Sequence, residues 1–133
     1  MALKITLKPG EKFVINGAVI VNGDRRTNMV IQNKVSILRE RDIMQFEEAD
    51  TPVKRIYFPI MMMYLGGCDK ALQAEFVERV SEFINAVSNA EALQLCMNIF
   101  QAVNAGEFYR ALLACKKLLP FEQERLSYEP GKV

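Results

Sequence analysis

The segment LKITLKPGEKFVINGAVIVNG, residues 3–23, decides how the first half of the chain is read. Leu3, Ile5 and Leu7 alternate with Lys4, Thr6 and Lys8, the two-residue period of a strand with one buried and one wet face. Pro9-Gly10 then breaks the run with turn chemistry. Two β-branched stretches follow, KFVI and AVIV, separated by Asn16-Gly17 as a hairpin turn or a bulge. Asn22-Gly23-Asp24 marks the next turn, and NMVIQNKVSIL (28–38) supplies one or two further strands. Short strands with turns this closely spaced predict a small antiparallel β domain over residues 1–50.

Beyond residue 50 the period becomes helical, which predicts an α+β chain whose second domain, 51–133, is a bundle of three or four helices. Thr51-Pro52 has the form of an N-cap followed by proline at the first helical position. A helix from there to Leu65 carries Pro59 in its interior, where it should kink. The rival reading makes VKRIYF a strand and starts the helix at Pro59. Gly66-Gly67 ends the segment and Asp69 caps the next. Leu72, Phe76, Val80, Phe83, Ile84 and Val87 then share one helical face. Ser88-Asn89-Ala90-Glu91 has capping-box spacing, so a third helix begins at Asn89 and runs to about Asn104. GEFYRALLACKKLLP gives a last helix stopped by Pro120, and SYEPGKV reads as a frayed tail. NAGEFYRALLACKKLL has the pattern of a tetratricopeptide helix, but no second copy follows at that period.

Composition narrows the function classes. Histidine is absent from the chain, which removes Ser-His, Cys-His and His-metal chemistry. Glu47-Glu48 and Glu122/Glu124 sit in polar segments and read as solvated faces. No glycine-rich phosphate loop joins a strand to a helix. An enzyme is not expected, nor a cofactor or metal. Cys68, Cys96 and Cys115 are far apart and set among apolar residues, as suits reduced buried thiols of a cytoplasmic protein. Lys4 and Lys8 interrupt any signal peptide, and Ile56–Leu65 falls short of the roughly 20 residues that span a bilayer.

Charge is unevenly placed. Residues 1–44 carry eight Lys/Arg against four acids, residues 45–133 nine against twelve. The stretch VSILRERD (35–42) ends an apolar strand in four consecutive charges. This is a solvated strand end or, with Lys4, Lys8, Arg39 and Arg41 close to turns, a basic edge that grips phosphates. Phe13 is the only aromatic residue before position 45, so no base-stacking platform is implied. In the second half, Ile60 through Leu65 is apolar nearly all round. It is either a fully buried central helix or a methionine-lined face for a partner's helix. The docking set on the second reading is Met61, Met62 and Met63, with Phe76 and Phe83 beside them.

LKITLKPGEKFVINGAVIVNGDRRTNMVIQNKVSILRERDIM, followed by TPVKRIYFPIMMMYLGG, closely resembles the FlbT family of flagellin-synthesis regulators, from residue 2 to about residue 119. The resemblance implies post-transcriptional repression through the 5′ leader of flagellin mRNA, and a helical partner like the flagellin-assembly regulator FlaF. The N-terminal half is also similar to the carbon-storage-regulator (CsrA) RNA-binding family, in PGEKFVING and in VSILRERDI. That resemblance implies a homodimer that grips RNA with its first and last strands. By position it points to Ile5, Thr6 and Lys8 on the first strand, and to Val35, Ser36, Leu38, Arg39 and Glu40 on the last, where Arg41 adjoins. Leu7 and Lys8 stand where that family has two arginines, and Leu38 where it has histidine. The competing expectation is a protein-interaction module or chaperone of flagellin export and assembly that binds no RNA.

Overall fold

Asn16 and Gly17 both take positive φ, 49° and 85°, the conformation of a type I′ turn, which matches the twist of a two-residue hairpin. This turn joins β2 (Lys12–Ile15) to β3 (Ala18–Val21) in the computed structural model, which describes residues 3–67 and 69–122. The other strands are β1 (Leu3–Leu7), β4 (Thr27–Ile31) and β5 (Ile37–Arg39). Four helices follow: α1 (Pro52–Gly66), α2 (Lys70–Ala86), α3 (Ala90–Asn104) and α4 (Phe108–Lys116). The arrangement is α+β, and the chain divides into two compact units between Ile43 and Met44.

The strands form two antiparallel sheets, β1-β4 and β3-β2-β5, where a single sheet was expected. The reason lies at residues 22–25. Asn22 Nδ2 donates to the carbonyls of Lys8 (2.8 Å) and Arg25 (2.9 Å), and the Gly10 amide donates to the Gly23 carbonyl (2.9 Å). Polar groups that would extend the β3–β4 ladder are spent instead on the β1–β2 turn. Ile5, Leu7 and Phe13 form the core of this unit, with Ile15, Met29, Ile31 and Ile37 packed against them, so both sheets contribute.

Val35 and Ser36 precede β5 rather than lying in it. Asn16 holds them there: its amide donates to the Ser36 carbonyl (2.8 Å), and its Oδ1 accepts from the Ser36 amide (2.9 Å). Beyond β5 the charged residues Glu40–Asp42 close into one 3-10 turn.

In the helical unit α1 runs unbroken across Pro59, so the strand alternative for VKRIYF is set aside. Thr51 Oγ1 accepts from the Lys54 amide, Asp69 Oδ1 from the Leu72 amide and Asn89 Oδ1 from the Ala92 amide. Each satisfies one of the otherwise unpartnered amides of a helix start. A second cap at α1 comes from far along the chain. Glu122, expected in solvent, is buried, and its Oε1 accepts from the Val53 amide at 2.7 Å. The last helix ends at Lys116 rather than at Pro120. Pro120 sits in helical backbone at 119–122, early enough in that turn for its missing N–H to cost nothing. Cys68, Glu124 and the tail 127–133 lie outside the described residues.

Helix α1 packs against both α2 and α4, and α3 packs against α4. A helix flanked on two sides buries most of its circumference, and Ile56, Ile60, Met61 and Met63 are all buried. Most of the side chains expected to dock a partner are therefore covered within the chain itself. Met61 and Met63 belong to the unit's own core, as do Phe76 and Phe83; only Met62, 40% exposed, reaches solvent. Cys96 and Cys115 are free and buried, and burial pushes the Cys96 thiol up to about 11 and the Cys115 thiol higher still. Both are therefore inert thiols. No helix among the described residues is long and apolar enough to cross a membrane.

Candidate nucleic-acid interface

The turn Lys8-Pro9-Gly10-Glu11 builds one wall of the site. Its Glu11 amide donates to the Lys8 carbonyl (3.1 Å), and Gly10 has φ 73°. Proline followed by a positive-φ glycine is the composition of a type II turn. The turn points Glu11 back on itself, so that Glu11 Oε1 accepts from the Lys8 amide at 2.9 Å. Arg39, at the end of β5, completes the clamp. Its Nε lies 3.2 Å from Glu11 Oε2, and its Nη2 lies 3.0 and 2.9 Å from the two carboxylate oxygens. The same Nη2 donates to the Thr6 carbonyl at 2.7 Å. Arg39 thus ties β5 to β1 across the two sheets.

Around this pair opens a shallow recess of about 700 Å³, lined by Thr6, Lys8, Pro9, Gly10, Glu11, Arg26, Arg39, Glu40 and Arg41. Five residues expected from the sequence converge here: Thr6, Lys8, Arg39, Glu40 and Arg41. Four do not. Ile5 and Leu38 are buried in the core at 8% and 1% exposure, and Val35 and Ser36 sit at the other end of β5, against the Asn16 turn. Glu40 Oε1 accepts from the Lys12 amide at 2.9 Å, which fastens the 3-10 turn to β2. Thr6 Oγ1 donates to Asn28 Oδ1 across β1 and β4.

Two charged lining residues were missed by the sequence reading, Glu11 and Arg26. Arg26 arrives through Asn22, whose amide draws the 22–25 loop onto the Lys8 turn. A turn asparagine that bonds backbone at a distance was the available signal. For Glu11 the signal was its spacing: a carboxylate three residues after a Pro-Gly turn's first residue is positioned to cap it.

Lys8, Arg26 and Arg41 are exposed and make no ion pair among the described residues. The Glu11 carboxyl is held below the usual carboxylate range, first by the Lys8 amide and then by the Arg39 guanidinium. It therefore stays ionised at neutral pH. Chemically the recess offers three cations outside any ion pair among the described residues, a guanidinium already engaged and the carboxylates of Glu11 and Glu40, with no aromatic ring in its lining. Such a set suits phosphate groups of a backbone better than stacked bases. No cluster of three potential metal ligands occurs among the described residues.

The family model described as flagellar protein FlbT matches residues 3–126. A probable flagellum biosynthesis repressor protein FlbT of Caulobacter sp. (strain K31) is 53% identical over 96% of this chain and 98% of its own length. The flagellum biosynthesis repressor protein FlbT of Caulobacter vibrioides (strain ATCC 19089) is 52% identical, over 96% of this chain and 92% of its own length. A probable FlbT of Rhodopseudomonas palustris (strain TIE-1) is 41% identical, over 96% and 99%. No solved structure matches. With a family model covering nearly its whole length and relatives this similar along the same span, the chain belongs to the FlbT family of flagellar proteins.

Proposed function

We propose that this protein represses flagellum biosynthesis after transcription, by holding the 5′ leader of flagellin mRNA in the recess of its β unit. The repressor role rests on the names of its relatives. The RNA step is supported by one observation above others: Lys8, Arg26 and Arg41, none in an ion pair among the described residues, line one recess in the half of the chain where bases outnumber acids eight to four. Unpaired cations that release counterions from phosphates supply most of the affinity of such contacts. A gel-shift assay with a flagellin leader and an unrelated RNA of equal length tests it. Retardation of the leader that weakens at higher salt supports the reading; no retardation of either RNA at low salt excludes it.

A second reading, favoured by the exposed side chains of Val77, Ile84, Met97 and Phe100 on α2 and α3, is a helical unit that binds a FlaF-like protein. The two readings are compatible, and Met62 is the one residue of the expected docking set available to such a partner.

A further inference from the structure

The unoccupied cations of the recess surround an anion that the protein supplies itself. Three donors converge on the Glu11 carboxylate: Arg39 Nε, Arg39 Nη2 and the Lys8 backbone amide, all at 2.9–3.2 Å. A guanidinium fork plus a main-chain N–H is also the donor set that grips a phosphate group. The pair is partly exposed to solvent, with Arg39 at 30% and Glu11 at 16% side-chain exposure. Glu11 is itself part of the recess lining, within reach of an incoming ligand. Lys8, Arg26 and Arg41 around it would make a second anion welcome, whereas the resident carboxylate repels it.

We infer that Glu11 stands in for an RNA phosphate: the Arg39 guanidinium and the Lys8 amide form a phosphate subsite, closed by Glu11 in the free protein and opened when a backbone phosphate displaces it. The inference rests on the RNA reading above and adds a built-in competitor to it. Glu11 lowers affinity for any polyanion but makes binding depend on an exchange of partners at Arg39. Weak, non-specific phosphate contacts do not achieve that exchange; several phosphates held at once by Lys8, Arg26 and Arg41 do.

The test compares the wild-type protein, Glu11→Gln, and the double variant Glu11→Gln/Arg39→Ala, each checked for its melting transition. Two probes are titrated at fixed salt: a flagellin leader RNA and inorganic tripolyphosphate. Glu11→Gln is expected to bind both about three- to tenfold more tightly than wild type, with the salt slope for RNA steeper by about one phosphate. The double variant should lose that gain. A folded Glu11→Gln protein that binds both probes no better than wild type overturns the subsite, and if the wild type still binds RNA, the RNA reading survives alone. Tighter tripolyphosphate binding with no RNA binding by any variant keeps the subsite and removes the RNA reading. Should Glu11→Gln not fold, wild-type protein suffices. The nitrogen-15 resonances of Arg39 Nε and the Lys8 amide must shift when tripolyphosphate or RNA saturates the site, and resonances that stay fixed overturn the inference.

Discussion

Arg39 carries two roles that the sequence presented as one. The run Arg39-Glu40-Arg41-Asp42 announced a charged strand end, and the resemblance to a family that grips RNA with its first and last strands set it beside β1. Neither showed that Arg39 was already paired, because its partner Glu11 lies 28 residues away. The bonds of Arg39 to Glu11 and to the Thr6 carbonyl predict that Arg39→Ala lowers the melting temperature by several degrees as well as weakening RNA binding. Arg41→Ala, which breaks no ion pair, should weaken RNA binding with no change in melting. Calorimetric melting of both variants checks this. Glu11 also sets a pH dependence. Because its folded-state pKa is depressed, its contribution to stability is present above the ordinary carboxylate range and is lost as pH falls through the lower folded value. Glu11→Gln should flatten the acid limb of a stability–pH curve measured by urea denaturation, and lower stability near pH 7 without changing the pH dependence there.

At the scale of elements, strand alternation and helix caps were legible because both are local. The Asn16-Gly17 hairpin and the Thr51, Asp69 and Asn89 caps are each specified within a few residues. What could not be read was which sides of α1 are covered, since that depends on α2 and α4 arriving from elsewhere in the chain. Met61 and Met63 lie about 200° apart around a helix and are both buried, which periodicity alone would not choose. Met63→Ala should therefore cost about 2–5 kcal/mol, while Met62→Glu should fold and stay within about 1 kcal/mol of wild type. Glu122 was misread for the same reason. Its carboxylate meets the Val53 amide from 69 residues away. Glu122→Ala leaves that amide without its acceptor and should cost about 1–3 kcal/mol; Thr51→Ala, at the same helix start, about 1 kcal/mol. Chemical denaturation of the four variants ranks them.

Across the whole molecule, the change of period near residue 50 and the uneven charge both pointed to two units with different work. The β unit carries the basic recess; the helical unit spends Met61, Met63, Phe76 and Phe83 on its own core. On the proposed function, RNA affinity belongs to the first unit, where bases outnumber acids, and fades as salt rises. Three phosphate contacts on a single strand give a log–log salt slope of about −2. The measurement that bears most directly on this account is the affinity of a flagellin leader RNA, across a range of salt concentrations, for wild-type protein and for Lys8→Ala/Arg26→Ala/Arg41→Ala. These three side chains make no ion pair among the described residues, so the variant should melt as wild type does. The account predicts that its affinity at low salt falls by at least about tenfold and that its salt slope approaches zero. A folded triple variant that binds the leader with wild-type affinity and an unchanged slope would contradict it.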